Sequence, residues 1–201
     1  MPILDSLSTW PVGSVSAAVI TADGVADEFG DTSAVFALAS VTKLLVAQAV
    51  LVAVEEGAVE LDQEAGPPGA TVAHLLAHAS GLAFGTRDIE APVGTRRIYS
   101  SAGFEVLADS VRDATGIEFA DYLREAVCEP LGMTSTQLVG PAGHGAQSNV
   151  ADLGRFVGDL LRPSVLSEEL AGTARSVWFA GLDGFVPGYG KHRPNDWGLG
   201  C

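Results

Sequence analysis

A chain of 201 residues, 47% hydrophobic and 18% charged, is long enough to bury one fair-sized domain, or a small domain with a second lobe inserted into it. Its net charge of −14 excludes nucleic acid and anionic membrane as expected partners, because either would need a basic face to release counterions or meet lipid head groups, and it leaves small molecules as the expected ligands. Cys128 and Cys201 are too few and too far apart for a disulfide framework or a zinc site, and they fit a reducing compartment.

The opening MPILDSLSTWPVG has neither the basic start nor the continuous apolar stretch of a signal peptide, and the apolar run from Leu44 to Val54 is too short to span a bilayer. A soluble cytoplasmic protein is expected. From Ser14 to Ala39, β-branched runs broken by Asp23-Gly24 and Gly30-Asp31 predict two or three antiparallel strands. The stretch Val41 to Glu56 has helical length and few polar positions, so it predicts a buried helix stopped by Gly57. A proline and glycine loop follows, with Thr71 as N-cap of a short helix through His78. Phe104, Leu107, Ala108 and Val111 share one face of a helix starting at Ser101 and ending at Gly116. EFADYLREAVCEPLG repeats the pattern until Pro130 breaks it, SNVADLGRFVGDLL predicts a third such helix, and SEELAGTARSV a weaker fourth. A Gly/Pro/aromatic tail closes the chain, with one candidate strand near Trp197. Strands followed by a helix-rich middle predict an α+β fold, an antiparallel sheet flanked by helices with an inserted helix-rich lobe. The expected division is 1–60 for the sheet and the buried helix, 61–175 for the lobe and 176–201 for the return to the sheet.

One of only two lysines, Lys43, stands at the head of the buried helix, three residues after Ser40. That spacing brings the two side chains to one face, and a serine there is also a common N-cap. A capping box would place Glu or Gln at the third position, whereas a cation there faces the positive end of the helix dipole. Partial burial would disfavour the charged amine further, and both effects lower its pKa. A neutral Lys43 can take the proton of Ser40 Oγ and make a nucleophile, while backbone N–H groups at the helix start face the developing oxyanion. Spacing alone leaves the capping and the nucleophile readings both open.

ASVTKLL, LLAHASGL, IYSSAGFEVLADSVRDATG, PLGMTST and GAQSNVADLGRF occur in an order and at intervals that resemble the serine β-lactamase and penicillin-recognising hydrolase superfamily. The branch is the class C β-lactamase-like one, which includes D-alanyl-D-alanine peptidases and carboxylesterases, and the resemblance runs from about Gly13 to Gly200. It implies that Ser40 is acylated and that Lys43 accepts its proton. The Tyr-x-Asn motif of the family reads Tyr99-Ser100-Ser101 here, so the resemblance implies that Tyr99 moves protons between nucleophile and leaving group. Arg96 and Arg97 stand close enough in sequence to stabilise a phenolate, or are solvated surface charges. Ser101 takes the place of the substrate-binding asparagine, with a shorter hydroxyl where the family has an amide, which favours ester over β-lactam chemistry. The Lys-Thr-Gly or His-x-Gly triplet that the family places after a GLG strand has no match: Lys191-His192-Arg193 and Gly143-His144-Gly145 fit neither its sequence nor its position, and the chain stops at WGLGC. Missing C-terminal strands, either by fragmentation or by natural truncation, are the expectation.

His74 and His78 stand four apart as two metal ligands would, yet without a Glu after His74 or a third ligand they are expected to be structural, with no metal and no cofactor. Phe185, Tyr189, His192 and Trp197 line a substrate entrance or anchor a surface loop. The expected function is a serine hydrolase that forms an acyl-enzyme with a small ester, amide or β-lactam-like substrate. The alternative is a non-catalytic or truncated member of the fold that binds ligand without turnover. Oligomeric state is not encoded in any pattern of the sequence.

Overall fold

The run Thr42–Glu55 forms helix α1, and other elements are laid around it in a computed structural model that describes residues 4–200. Its apolar side chains cover all faces, so from Thr42 to Ala53 every residue but Leu44 is buried. Such a helix is stable only when packed on all sides. Helix α2 (Val72–Leu76) packs on α3 (Ser101–Thr115), which lies against α1 together with α4 (Phe119–Leu123) and the single π turn Arg124–Cys128. Helices α5 (Val150–Leu161) and α6 (Glu168–Arg175) follow. Leu45, Val50, Leu75, Phe104, Leu107 and Leu123 belong to one continuous core.

Most helix starts are written locally. Thr71, Ser100, Asn149 and Ser167 each accept a backbone N–H of the following turn at α2, α3, α5 and α6, and Gly116 ends α3 in the left-handed region at φ 72°. Helix α1 has no side-chain cap: it grows from the 3-10 turn Ala39–Val41, which leaves the Ser40 hydroxyl free of that duty.

The strands fall into three small sheets. β1 (Ala17–Thr21) and β2 (Gly24–Phe29) form the antiparallel hairpin predicted at Asp23-Gly24, and α5 packs on β1. β3 (Phe36–Ala37) pairs with β6 (Ala146–Ser148), which also pairs with β5 (Gln137–Leu138). β4 (Arg97–Ile98) pairs with β7 (Gly184–Val186), and β7 with β8 (Gly190–His192). Three details depart from expectation. The β4–β7 pairing is parallel, because these segments are joined by the whole helical middle and need no hairpin. EFADYLREAVCEPLG is not one helix, since the π turn interrupts it after Leu123. The candidate strand near Trp197 is a single bridge to Trp178. Among the described residues no helix is long and apolar enough to cross a membrane.

Leu45 has no exposed surface and sits at the first full turn of α1. Leu45→Ala is expected to cost about 3 kcal/mol of stability, read from the urea unfolding midpoint, and a loss below about 1 kcal/mol would contradict the packing described.

Candidate active site

Three segments converge on the first turn of α1. The 3-10 turn before it holds Ala39 in the left-handed region at φ 46°, an unfavourable conformation for a residue with a Cβ, and carries the exposed Ser40 into a cleft. The start of α3 brings Tyr99, Ser100 and Ser101. It is fixed at four points: the Ser100 N–H donates to His78 Nδ1 at 3.1 Å, Ser100 Oγ donates to the Ala83 carbonyl at 2.6 Å and accepts from the Gly103 N–H, and the Ser101 N–H donates to the Phe84 carbonyl at 2.7 Å. The loop before β6 supplies the third segment, tied to α1 where the Ala146 N–H donates to Thr42 Oγ1 at 3.0 Å.

Lys43 Nζ is the meeting point. It lies 3.4 Å from Ser40 Oγ, 3.0 Å from Ser101 Oγ and 2.7 Å from the Gly143 carbonyl oxygen, and it stands 4.6 Å from the centroid of the Tyr99 ring. Lys43 is only 3% exposed. Burial lowers its pKa to about 8, with Glu105, one turn along α3, pulling the other way. A neutral amine has two hydrogens and one lone pair. The Gly143 carbonyl can only accept and Ser101 can accept, so the lone pair is left for the proton of Ser40.

Gly143 was not visible as a site residue from the sequence, where Gly143-His144-Gly145 only failed to match a triplet. A Cβ at this position would lie 2.7 Å from Ser101 Cβ and 2.9 Å from its Cα, so only glycine lets the loop carbonyl come this close. His144 beside it is exposed and lines the cleft, about 320 Å³ in volume, together with Ser40, Ser101, Phe84 and Glu105.

Beneath Tyr99 lies His78, buried and with φ 56°. Its ring packs against Tyr99, Phe104 and Trp197, with centroids 4.6, 5.3 and 5.3 Å away. Burial first, then the positive charges of Lys43 and Arg97, push its pKa down to about 3, so it is a neutral acceptor for the Ser100 N–H. His74 points elsewhere, stacked on Phe179 at 4.2 Å. The two histidines thus occupy separate surroundings. Tyr99 presents its ring face to Lys43, and its hydroxyl has no hydrogen bond among the described residues.

Neither arginine beside Tyr99 serves it as a counter-charge. Arg96 faces Glu90 at 3.6 Å. Arg97 is no surface charge either: it is buried, and its guanidinium donates to the carbonyls of Ala77 at 2.6 Å, Phe179 at 3.1 Å, Trp178 and Asn195. It joins the end of α2 to the C-terminal tail. A guanidinium with its five donors in a rigid fork suits four carbonyls better than it suits one phenol.

The beta-lactamase family model matches residues 14–200, and the chain belongs to that family. A beta-lactamase from Mycobacterium bovis is 60% identical, its structure superposing with a TM-score of 0.97 over 98% of this chain and 74% of that one. A D-stereospecific amidohydrolase from Streptomyces sp. is 17% identical with a TM-score of 0.76 over 98% of this chain and 80% of that one, a likeness of fold. The D-alanyl-D-alanine-carboxypeptidase/endopeptidase AmpH of Escherichia coli K12 is 24% identical over 174 residues, covering 62% of this chain. The chain spans 45% of the length of that relative.

Three outcomes are expected. With two lysines in the chain, carbon-13 labelling of lysine lets the Lys43 signal be followed by NMR, and its midpoint is expected near 8; a midpoint above 10 would show that the carbonyl and ring contacts outweigh burial. Because unfolded Lys43 keeps its proton up to its ordinary 10.5, this group adds relative stability as the pH rises from 8 toward 10.5. Arg97→Gln strands several buried carbonyls and is expected to cost roughly 3 kcal/mol in chemical denaturation.

Proposed function

We propose that the chain is a serine hydrolase working through an acyl-enzyme on Ser40. Lys43 Nζ accepts the Ser40 Oγ–H proton, the Oγ–C bond forms, and the carbonyl oxygen takes the charge. The bond from that carbon to the leaving alcohol then breaks, and the alcohol receives the proton from Lys43 through the Tyr99 hydroxyl. A water molecule repeats the sequence against the acyl group, giving a carboxylic acid and restoring Ser40. The observation that carries this reading is the buried Lys43 amine, lowered toward neutrality, with its lone pair left for Ser40 once Ser101 and Gly143 accept its hydrogens. The 3.4 Å from Lys43 to Ser40 is long for a hydrogen bond and is of the kind that tightens when substrate binds.

The substrate class is a small ester in preference to a β-lactam. A hydroxyl stands at Ser101 where an amide would donate to a substrate amide, and that hydroxyl is already engaged by Lys43 at 3.0 Å. An ester needs no such donor beyond its carbonyl, and its alkoxide or phenoxide leaves more readily than an amine.

Hydrolysis of para-nitrophenyl acetate is expected to rise with pH through an inflection near 8, the pH at which Lys43 becomes neutral. Ser40→Ala abolishes it. In the wild-type protein, intact mass shows an added acetyl group that maps to Ser40. Lys43→Arg fails to restore acylation, because a guanidinium does not give up its proton. A folded protein with neither turnover nor adduct would point instead to a member of the fold that binds ligand without reacting.

A further inference from the structure

Past Tyr99 the surface opens into a second concavity of about 530 Å³, larger than the cleft at Ser40. Its walls are apolar: Phe84, Ile98, Tyr99, Phe185 and Pro187. Phe84 belongs to both hollows and stacks on Tyr99 with centroids 6.2 Å apart, so a molecule seated over Ser40 can continue along the two rings into the second pocket.

Charge here runs against the character of the chain. Four of the 11 Lys and Arg residues line this one pocket, against two of the 25 Asp and Glu residues. Arg97 is committed to its four carbonyls. Arg96 is matched by Glu90 at 3.6 Å and Arg193 by Asp183 at 3.2 Å. Lys191, exposed on β8, has no side-chain partner among the described residues. A protein with a net charge of −14 repels anions at long range, so a lone cation beside an apolar wall acts only on an anion already in contact.

We infer that this pocket is the subsite for the leaving limb of the substrate, and that it takes a limb apolar along its length and anionic at its end, with Lys191 as the group that reads the anion. The pocket lies on the Tyr99 side, past which the leaving group departs, so the assignment to that limb rests on the acyl-enzyme reading above. Phe185 and Phe84, each 53% exposed, gain cover from such a limb.

The test compares para-acetoxyphenylacetate with its neutral analogue para-acetoxyphenylacetamide, two acetate esters whose leaving groups differ in end charge. The wild-type chain is expected to prefer the carboxylate by about fivefold in kcat/KM, the scale of one exposed ion pair. Lys191→Gln brings the ratio to about one, Lys191→Glu brings it below one, and added salt shrinks it in the wild type. Turnover that depends on Ser40 with a ratio that Lys191→Gln leaves untouched would overturn the pocket and spare the hydrolase. A second measurement needs no turnover: para-hydroxyphenylacetate is titrated into the Ser40→Ala protein and followed by NMR at Lys191 and Phe185. Binding that Lys191→Gln weakens upholds the pocket even if no ester is cleaved, and absence of binding overturns it.

Discussion

The amine of Lys43 is held by oxygens from three parts of the chain that lie 3, 58 and 100 positions away. Only the first is local. The other two arrive when α3 has packed against α1 and when the loop before β6 has been tied to Thr42, so the site is assembled by the same packing that makes the core. Burying an amine in this way costs free energy, and the hydrophobic surface of α1 is what carries that cost. The reward is chemical: a lysine in water is a permanent cation near neutral pH, whereas burial brings this one toward the neutral form that the proposed transfer from Ser40 needs.

The face that Tyr99 turns to Lys43 is kept in place by a neutral imidazole. His78 is neutral first because it is buried, and also because a charged ring there would repel the amine of Lys43 and the guanidinium of Arg97. Its Nδ1 then accepts from the backbone of Ser100 and sets the loop that carries Tyr99 and Ser101. A histidine that titrates nowhere near neutrality is therefore a support for the site, with no proton of its own to move.

What the sequence made legible was what is local. The buried helix, the Thr71 cap and the stop at Gly116 each follow from a few adjacent residues, and a spacing of three brings Ser40 and Lys43 to one face without deciding between a cap and a nucleophile. Tyr99 and Ser101 came from family resemblance, and their closeness to Lys43 is a matter of packing that no spacing rule encodes. Gly143 stayed hidden because a backbone carbonyl has no signature in the residue type; the one available hint was a pair of glycines around His144, which marks close approach of main chain. Arg97 was misread for a related reason. Its acceptors are carbonyls 20 to 98 positions away, and carbonyls are the same in every residue. The parallel pairing of β4 with β7 depends on the same long-range closure.

Arg97 also separates two things that are usually coupled. Its partners in the tail, at Trp178, Phe179 and Asn195, are bound through main-chain oxygens alone. The anchor therefore reads the path of the tail and is blind to its composition. Side chains such as Phe185 and Lys191, which project from that same tail toward the hollow beside Tyr99, can be exchanged without disturbing the grip that positions them. If the hollow is the proposed subsite, substrate preference and structural integrity are written in different atoms of one segment, side chains for the first and main-chain oxygens for the second.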